Sequence, residues 1–180
     1  MTLSYLLLTP EQLKTWANKD FITLSRSLPS PLPKELEAFD WLARLRLDQI
    51  QIDSKYQNWS LRLIYIEKTN SESPTLVGLI GFHSPPNPLY LRPILNNAIE
   101  LGYHILKDER RRGIASQAIN DMMQLAEKEG VHFTVLSISF VNEASQSLAK
   151  KLSFTHFDNK DIYIEKNESV YYKKNMLNEP

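Results

Sequence analysis

The chain is expected to form one mixed α/β domain over residues 1–180, and three observations carry that expectation. Strand-type patterns recur at 3–8, 60–67, 75–83, 98–106 and 131–141. Helical stripes fall between them, at 34–50 and from Gly113 onward. A strand–loop–helix–strand unit occupies the centre, with no internal repeat and no linker long enough to separate a second domain from the first.

The elements follow in order. "LSYLLL" (3–8) is a first strand, and Thr9-Pro10-Glu11 then opens a helix, with Thr9 as N-cap and Pro10 at the first helical position. "LPSPLP" (28–33) breaks the chain before "KELEAFDWLARLRLDQI" (34–50), where Leu36, Phe39, Leu42, Ala43, Leu45 and Leu47 approximate one helical face. "SLRLIYIE" and "TLVGLIGFH" flank the turn chemistry of "TNSESP" (69–74) and are expected to pair as a hairpin. "SPPNPLYLRPILNN" (84–97), with four prolines, is a loop. "AIELGYHIL" (98–106) is the next strand. Ala115, Ala118, Ile119, Met122, Met123 and Ala126 then line a helix closed by Gly130. "VHFTVLSISFV" (131–141) is rich in β-branched and aromatic residues, and Asn142 caps a short helix over 143–152. "FTHF", "DIYIE" and "SVYYKK" close the chain as short strands.

Composition narrows the function. The 21 basic and 21 acidic side chains cancel, so no global field steers the protein onto a polyanion, and nucleic acid is not an expected partner. The chain has no cysteine, which excludes disulfides, thiolate metal sites and cysteine nucleophiles. Histidines at 83, 104, 132 and 156 have no metal-ligand spacing, so no metal is expected. The start "MTLSYLLLTPEQ" carries neither a basic leader nor a membrane span, which makes a cytoplasmic protein without membrane partners the simplest expectation.

The stretch "ERRRGIAS" (109–116) is where strand gives way to helix. A helix N-terminus offers unpaired N–H groups and a partial positive charge, which together receive an anion. Gly113 lets the backbone approach a phosphate, Ala115 keeps the next position slim, and Arg110, Arg111 and Arg112 can add charge-assisted hydrogen bonds. The arrangement suits a pyrophosphate, although arginines before a helix also simply solvate a loop. Neither G-x-x-x-x-G-K-[ST] nor G-x-G-x-x-G is present, which leaves kinase and dinucleotide readings without support.

Four motifs follow one another within residues 99–154: Glu100-Leu101-Gly102-Tyr103, Arg110-x-x-Gly113-x-Ala115, Asn142-x-x-Ser145 and Lys151-Leu152-Ser153-Phe154. In that order they resemble the acetyl-CoA-binding core of the GNAT superfamily of N-acetyltransferases, in particular the branch of ribosomal-protein alanine acetyltransferases. The resemblance implies a central mixed, mostly antiparallel sheet flanked by helices, with parallel strands 98–106 and 131–141 splayed to admit acetyl-CoA. It implies that backbone at Tyr103, His104 and Ile105 pairs with the pantetheine arm. Backbone N–H groups of Arg111, Arg112, Gly113, Ile114, Ala115 and Ser116 would hold the pyrophosphate, with Asn142 near the pantetheine and Ser145 near the sulfur. Two positions depart from the pattern. Ser153 replaces a glycine, which is expected to alter a turn, and Ala149 stands where many members carry a tyrosine acid.

Acetyl transfer to an amine needs a base for the proton and a donor for the carbonyl oxygen. Glu100 is the leading candidate base, on the strand expected beside the cofactor. His104 lies on the same alternating face and could share the role, Ser145 could act through water in place of the tyrosine, and His83 could line an acceptor pocket. Without cysteine, transfer is expected to be direct, within a ternary complex. The acceptor would be a protein N-terminus or a small amine such as a polyamine or aminoglycoside, and the protein a monomer or homodimer. The alternative is a CoA-binding or regulatory module of the same fold that does not turn over, suggested by Ala149.

Overall fold

A computed structural model describes residues 1–68, 72–157 and 167–175. Among them the strands are β1 (Leu3–Leu7), β2 (Leu61–Ile66), β3 (Thr75–Phe82), β4 (Ala98–Ile105), β5 (Phe133–Ser139), β6 (Thr155–His156) and β7 (Glu168–Lys174). The helices are α1 (Pro10–Ala17), α2 (Phe21–Arg26), α3 (Lys34–Glu37), α4 (Asp40–Ile52), α5 (Tyr56–Trp59), α6 (Ile114–Lys128) and α7 (Glu143–Lys151). The strands form one sheet in the order β1-β2-β3-β4-β5-β7-β6. The β1–β2, β2–β3, β5–β7 and β6–β7 pairs are antiparallel, and β4 pairs with β5 in parallel. This is the mixed, mostly antiparallel, helix-flanked sheet that the sequence led us to expect. "DIYIE" and the tip of the "TNSESP" turn lie outside the described residues.

The chain divides into two compact units that share the strands β3 and β4. One comprises Met1–Gly81 with Tyr103–Ala115, the other Phe82–Gly102 with Ser116–Pro180. In the first unit, local sequence fixes the start of α1 as expected. Thr9 Oγ1 accepts from Gln12 N–H (3.2 Å) and Gln12 Oε1 accepts from Thr9 N–H (3.0 Å), a reciprocal cap with Pro10 at the first position. Such a cap contributes about 1 kcal/mol. Leu8, Leu13, Trp16, Leu36, Leu63 and Leu79 meet in a core that excludes water from the face of β2 and β3.

The single helix expected over 34–50 is two. The backbone breaks at Ala38–Phe39, and α4 restarts at Asp40. The apolar stripe survives the break because Leu36, Ala43 and Leu47 are all drawn into the same core, so periodicity alone does not show it. The helix α2 adds to the elements expected, none of which covers 21–26. Its cue is Asp20, whose carboxylate accepts from Thr23 N–H at 3.1 Å.

In the second unit, Leu91, Ala98, Val135 and Val170 form the core, with Ile94, Leu95, Phe133 and Tyr172 packed against it. The Pro-rich segment 84–97 is thereby tied down. Leu91 is fully buried, and Asn87 N–H donates to Ala98 O at 2.7 Å. The β4–β5 ladder runs from Ala98↔Phe133 to Glu100↔Val135 and stops there, although β5 continues against β7 to Ser139. After α7, Ser153 adopts a left-handed conformation (φ 61) and Phe154 N–H reaches back to Ala149 O at 2.9 Å. The turn that glycine would make is therefore kept by serine rather than altered, at a cost of about 1–2 kcal/mol.

Candidate functional site

The segment between β4 and α6 begins with a 3-10 turn, Lys107–Glu109, and then takes two left-handed steps at Arg111 (φ 61) and Gly113 (φ 81). Left-handed residues alternating with right-handed or extended ones turn successive N–H groups toward one side, a concavity that receives anions. Helix α6 starts at Ile114, so the N–H groups of Gly113, Ile114, Ala115 and Ser116 have no acceptor within the helix. Space around Gly113 is open, with nothing within 4 Å of where a Cβ would stand. Ile114, Ala118, Ile119 and Ala126 are buried and fix α6, while the loop before it stays exposed.

The three arginines have separate tasks. Arg110 Nε donates to Ile105 O at 3.0 Å and its Nη2 lies 3.8 Å from Glu35 Oε1, so this side chain braces the loop against the end of β4. Arg112 is ion-paired with Glu109. Arg111 is exposed at the left-handed step itself.

Glu35, on α3, had no signal in the sequence, being 69 residues from one of its partners. Its Oε1 meets His104 Nε2 at 2.8 Å, and its Oε2 accepts from Lys107 N–H at 3.1 Å. Burial raises its carboxyl, but the Lys107 N–H, the His104 hydrogen bond and charge, and Arg110 together hold it below the ordinary value of 4.5. A depressed carboxylate contributes stability above its unfolded pKa and loses it as pH falls through the folded value. Glu35→Gln should therefore flatten the acid-side loss of stability below about pH 5, by about 0.5 kcal/mol, the scale of an exposed pair. Urea midpoints measured across pH check this.

His104 is accordingly committed to Glu35, with its ring tilted against Phe39 at 4.8 Å. Glu100, its expected companion, belongs to the other compact unit and has another partner. Tyr103 and Ile105 flank His104 in β4, and Leu106 N–H donates to Val77 O at 2.9 Å, pairing this strand end with β3.

Glu100 is 2 % exposed, and its Oε2 lies 3.2 Å from His83 Nδ1. Burial pushes its carboxyl up. The hydrogen bond and charge of His83, with further help from Ser137 and Tyr90, outweigh burial and hold it below the ordinary value. The Ser137 hydroxyl is buried without a well-formed hydrogen bond of its own, so it acts on Glu100 as a nearby dipole. Asn142 accepts from Ser145 N–H at 3.1 Å, capping α7 as expected, so its side-chain oxygen is engaged locally. Ser145 is half-buried, and Ala149 is fully buried within α7.

Among the described residues, no cluster of three or more His, Asp or Glu could hold a metal ion, and no helix is long and apolar enough to cross a membrane.

Residues 8–155 match the family profile described as "Acetyltransferase (GNAT) domain". No curated protein matches the chain by sequence. Among solved structures, the chain is similar to the microcin C7 self-immunity acetyltransferase MccE, which was crystallised with acetyl-CoA and AMP. The identity is 17 %, the TM-score 0.57, and the match covers 96 % of this chain and 92 % of that one. It is also similar to a chimera of spermidine N-acetyltransferase SpeG from Vibrio cholerae and hSSAT (16 % identity, TM-score 0.58, 97 % and 96 % covered). A third is RimL, the ribosomal L7/L12 alpha-N-protein acetyltransferase (14 %, 0.58, 97 % and 94 %). At these identities the likeness is one of fold.

Proposed function

Because the chain belongs to the GNAT acetyltransferase family, we propose that it acts as one acetyltransferase domain, transferring acetyl from acetyl-CoA directly to an amine within a ternary complex. The observation that carries this reading is the loop: left-handed Arg111 and Gly113 lead into an α6 whose first N–H groups lack helical acceptors. That backbone fits a pyrophosphate, with Arg111 to Ser116 as its holders and Arg110 as a brace. The fit draws on main-chain donors and an open surface at Gly113, not on the number of arginines. The β4–β5 ladder ends at Glu100, which leaves backbone groups of β4 beyond it to pair with an extended pantetheine arm.

Two acceptor classes are supported by the likenesses: polyamines, as for the spermidine enzyme, and protein N-termini, as for RimL. A lysine-like ammonium costs about 4–5 kcal/mol to deprotonate at pH 7 from a pKa near 10.4, so the protein has to supply a proton acceptor. Glu100 is the carboxylate of the second unit suited to this, through the imidazole it holds. The chain has no cysteine to carry an acetyl group, so initial rates should show sequential kinetics.

The test pairs calorimetry with acetyl-CoA and thiol release over spermidine and short peptides with free N-terminal alanine or serine. Binding with thiol release on at least one amine supports the enzyme. Binding without release on any of them favours the non-catalytic CoA module, a role that Ala149, in place of a tyrosine acid, would suit.

A further inference from the structure

Resting on the acetyltransferase reading, we propose that His83 is the base that takes the proton from the attacking amine, and that Glu100 and Gly102 position its ring. His83 N–H donates to Glu100 O at 2.9 Å, so the two residues are cross-strand neighbours at the end of β3 and within β4. Their side chains meet at 3.2 Å with opposite environments: the His83 side chain is 40 % exposed and that of Glu100 only 3 %. The carboxylate is the enclosed member and the imidazole the one that reaches solvent.

Glu100 is steadied from three elements: His83 after β3, Tyr90 in the 84–97 segment and Ser137 on β5. Of the groups facing the pair, Tyr90 is titratable and Ser137 is not. A carboxylate accepting from Nδ1 selects the neutral tautomer with its proton there and its lone pair on Nε2. Gly102 then explains itself. A Cβ at that position would stand 2.6 Å from His83 Nε2, so only glycine leaves the ring in place.

In the reaction, the amine nitrogen donates its lone pair to the thioester carbonyl carbon and the C=O π pair moves to oxygen. His83 Nε2 takes a proton from that nitrogen. The oxygen pair returns, the C–S bond breaks with its electrons on sulfur, water protonates the thiolate, and the imidazolium gives its proton back to water. The products are the acetamide and CoA thiol.

Thiol release is measured for the full chain and for His83→Gln, Glu100→Gln and Gly102→Ala, with whichever of spermidine and the N-terminal alanine or serine peptides the wild type acetylates. His83→Gln should lower kcat/KM roughly 10²- to 10³-fold near neutral pH, with the Kd for acetyl-CoA nearly unchanged. The acid limb of its pH profile should vanish. Glu100→Gln should lower kcat with the Kd for acetyl-CoA nearly unchanged, because the ring loses the carboxylate that fixes its proton on Nδ1. Gly102→Ala should lower kcat with little change in KM. A wild type that turns over while His83→Gln keeps its rate and acid limb overturns the proposal and leaves the acetyltransferase reading standing. A wild type that binds acetyl-CoA and acetylates nothing sinks that reading, and the base with it. Independently of activity, a long-range ¹H–¹⁵N spectrum should show neutral His83 protonated on Nδ1; protonation on Nε2 overturns the proposal.

Discussion

Gly113→Glu should weaken acetyl-CoA binding at least about 100-fold, or about 2.7 kcal/mol, while leaving the protein folded. Two effects combine. Gly113 has φ 81, and a residue with a Cβ costs about 1–2 kcal/mol in that region. The new carboxylate would also stand before the first turn of α6, where it satisfies the same N–H groups and repels a phosphate. Crowding contributes nothing, since a Cβ at 113 meets no atom within 4 Å. Gly113→Ala isolates the conformational contribution and should cost about 5- to 30-fold in affinity. Calorimetry with acetyl-CoA reads both, and urea midpoints confirm the fold. An unchanged Kd for Gly113→Glu would remove the loop from the cofactor site.

The same loop shows why a run of like charges is a poor guide to its use. In the sequence, Arg110, Arg111 and Arg112 look like one basic patch. In the structure all three are exposed, but Arg110 is anchored to Ile105 O and Glu35, Arg112 is paired with Glu109, and Arg111 stands at a left-handed step. Glu35 and Glu109 offset much of the local positive charge. What is left to receive an anion is mainly backbone.

What was legible in the sequence was what local forces decide. Thr9 and Pro10 start α1, Asn142 caps α7, Gly130 ends α6 with φ 79, and β-branched alternation marks β5. Each involves neighbours a few residues apart. The break between α3 and α4 was hidden because the core selects for burial at Leu36, Ala43 and Leu47 whether or not the backbone between them is continuous. The long-range pairs within each unit were hidden for another reason. Glu35–His104 forms only once helix α3 packs against the end of β4, and His83–Glu100 only once β3 and β4 are in register, and both are properties of the assembled chain. His104 and Glu100 share a strand and an alternating face, so the sequence offers Glu100 as the leading base and His104 as a residue that could share its role. The partners they find, Glu35 for one and His83 for the other, separate them.

Gly78→Ala should be the most damaging small change in the first unit, costing about 2–3 kcal/mol through overpacking. Gly78 lies in β3, beside the register shift at Ile64/Tyr65, where the end of β4 comes very close. A Cβ there would fall deep inside contact distance of His104 O and 3.1 Å from Ile105 Cα, both backbone atoms that no side-chain rotation can clear. The methyl group can be accommodated only by moving β3 away from β4, which strains the Leu106 N–H to Val77 O bond. That separation shifts the strand end that delivers Lys107 to Glu35 and Arg110 to Ile105 O, so the loop loses its bracing as the unit loses stability. The urea midpoint should fall with an unchanged m-value, and acetyl-CoA affinity should fall with it even under conditions where the variant is fully folded. If the variant is as stable as the wild type, β4 yields without cost at His104, and the close packing of β3 is not what sets the position of the loop.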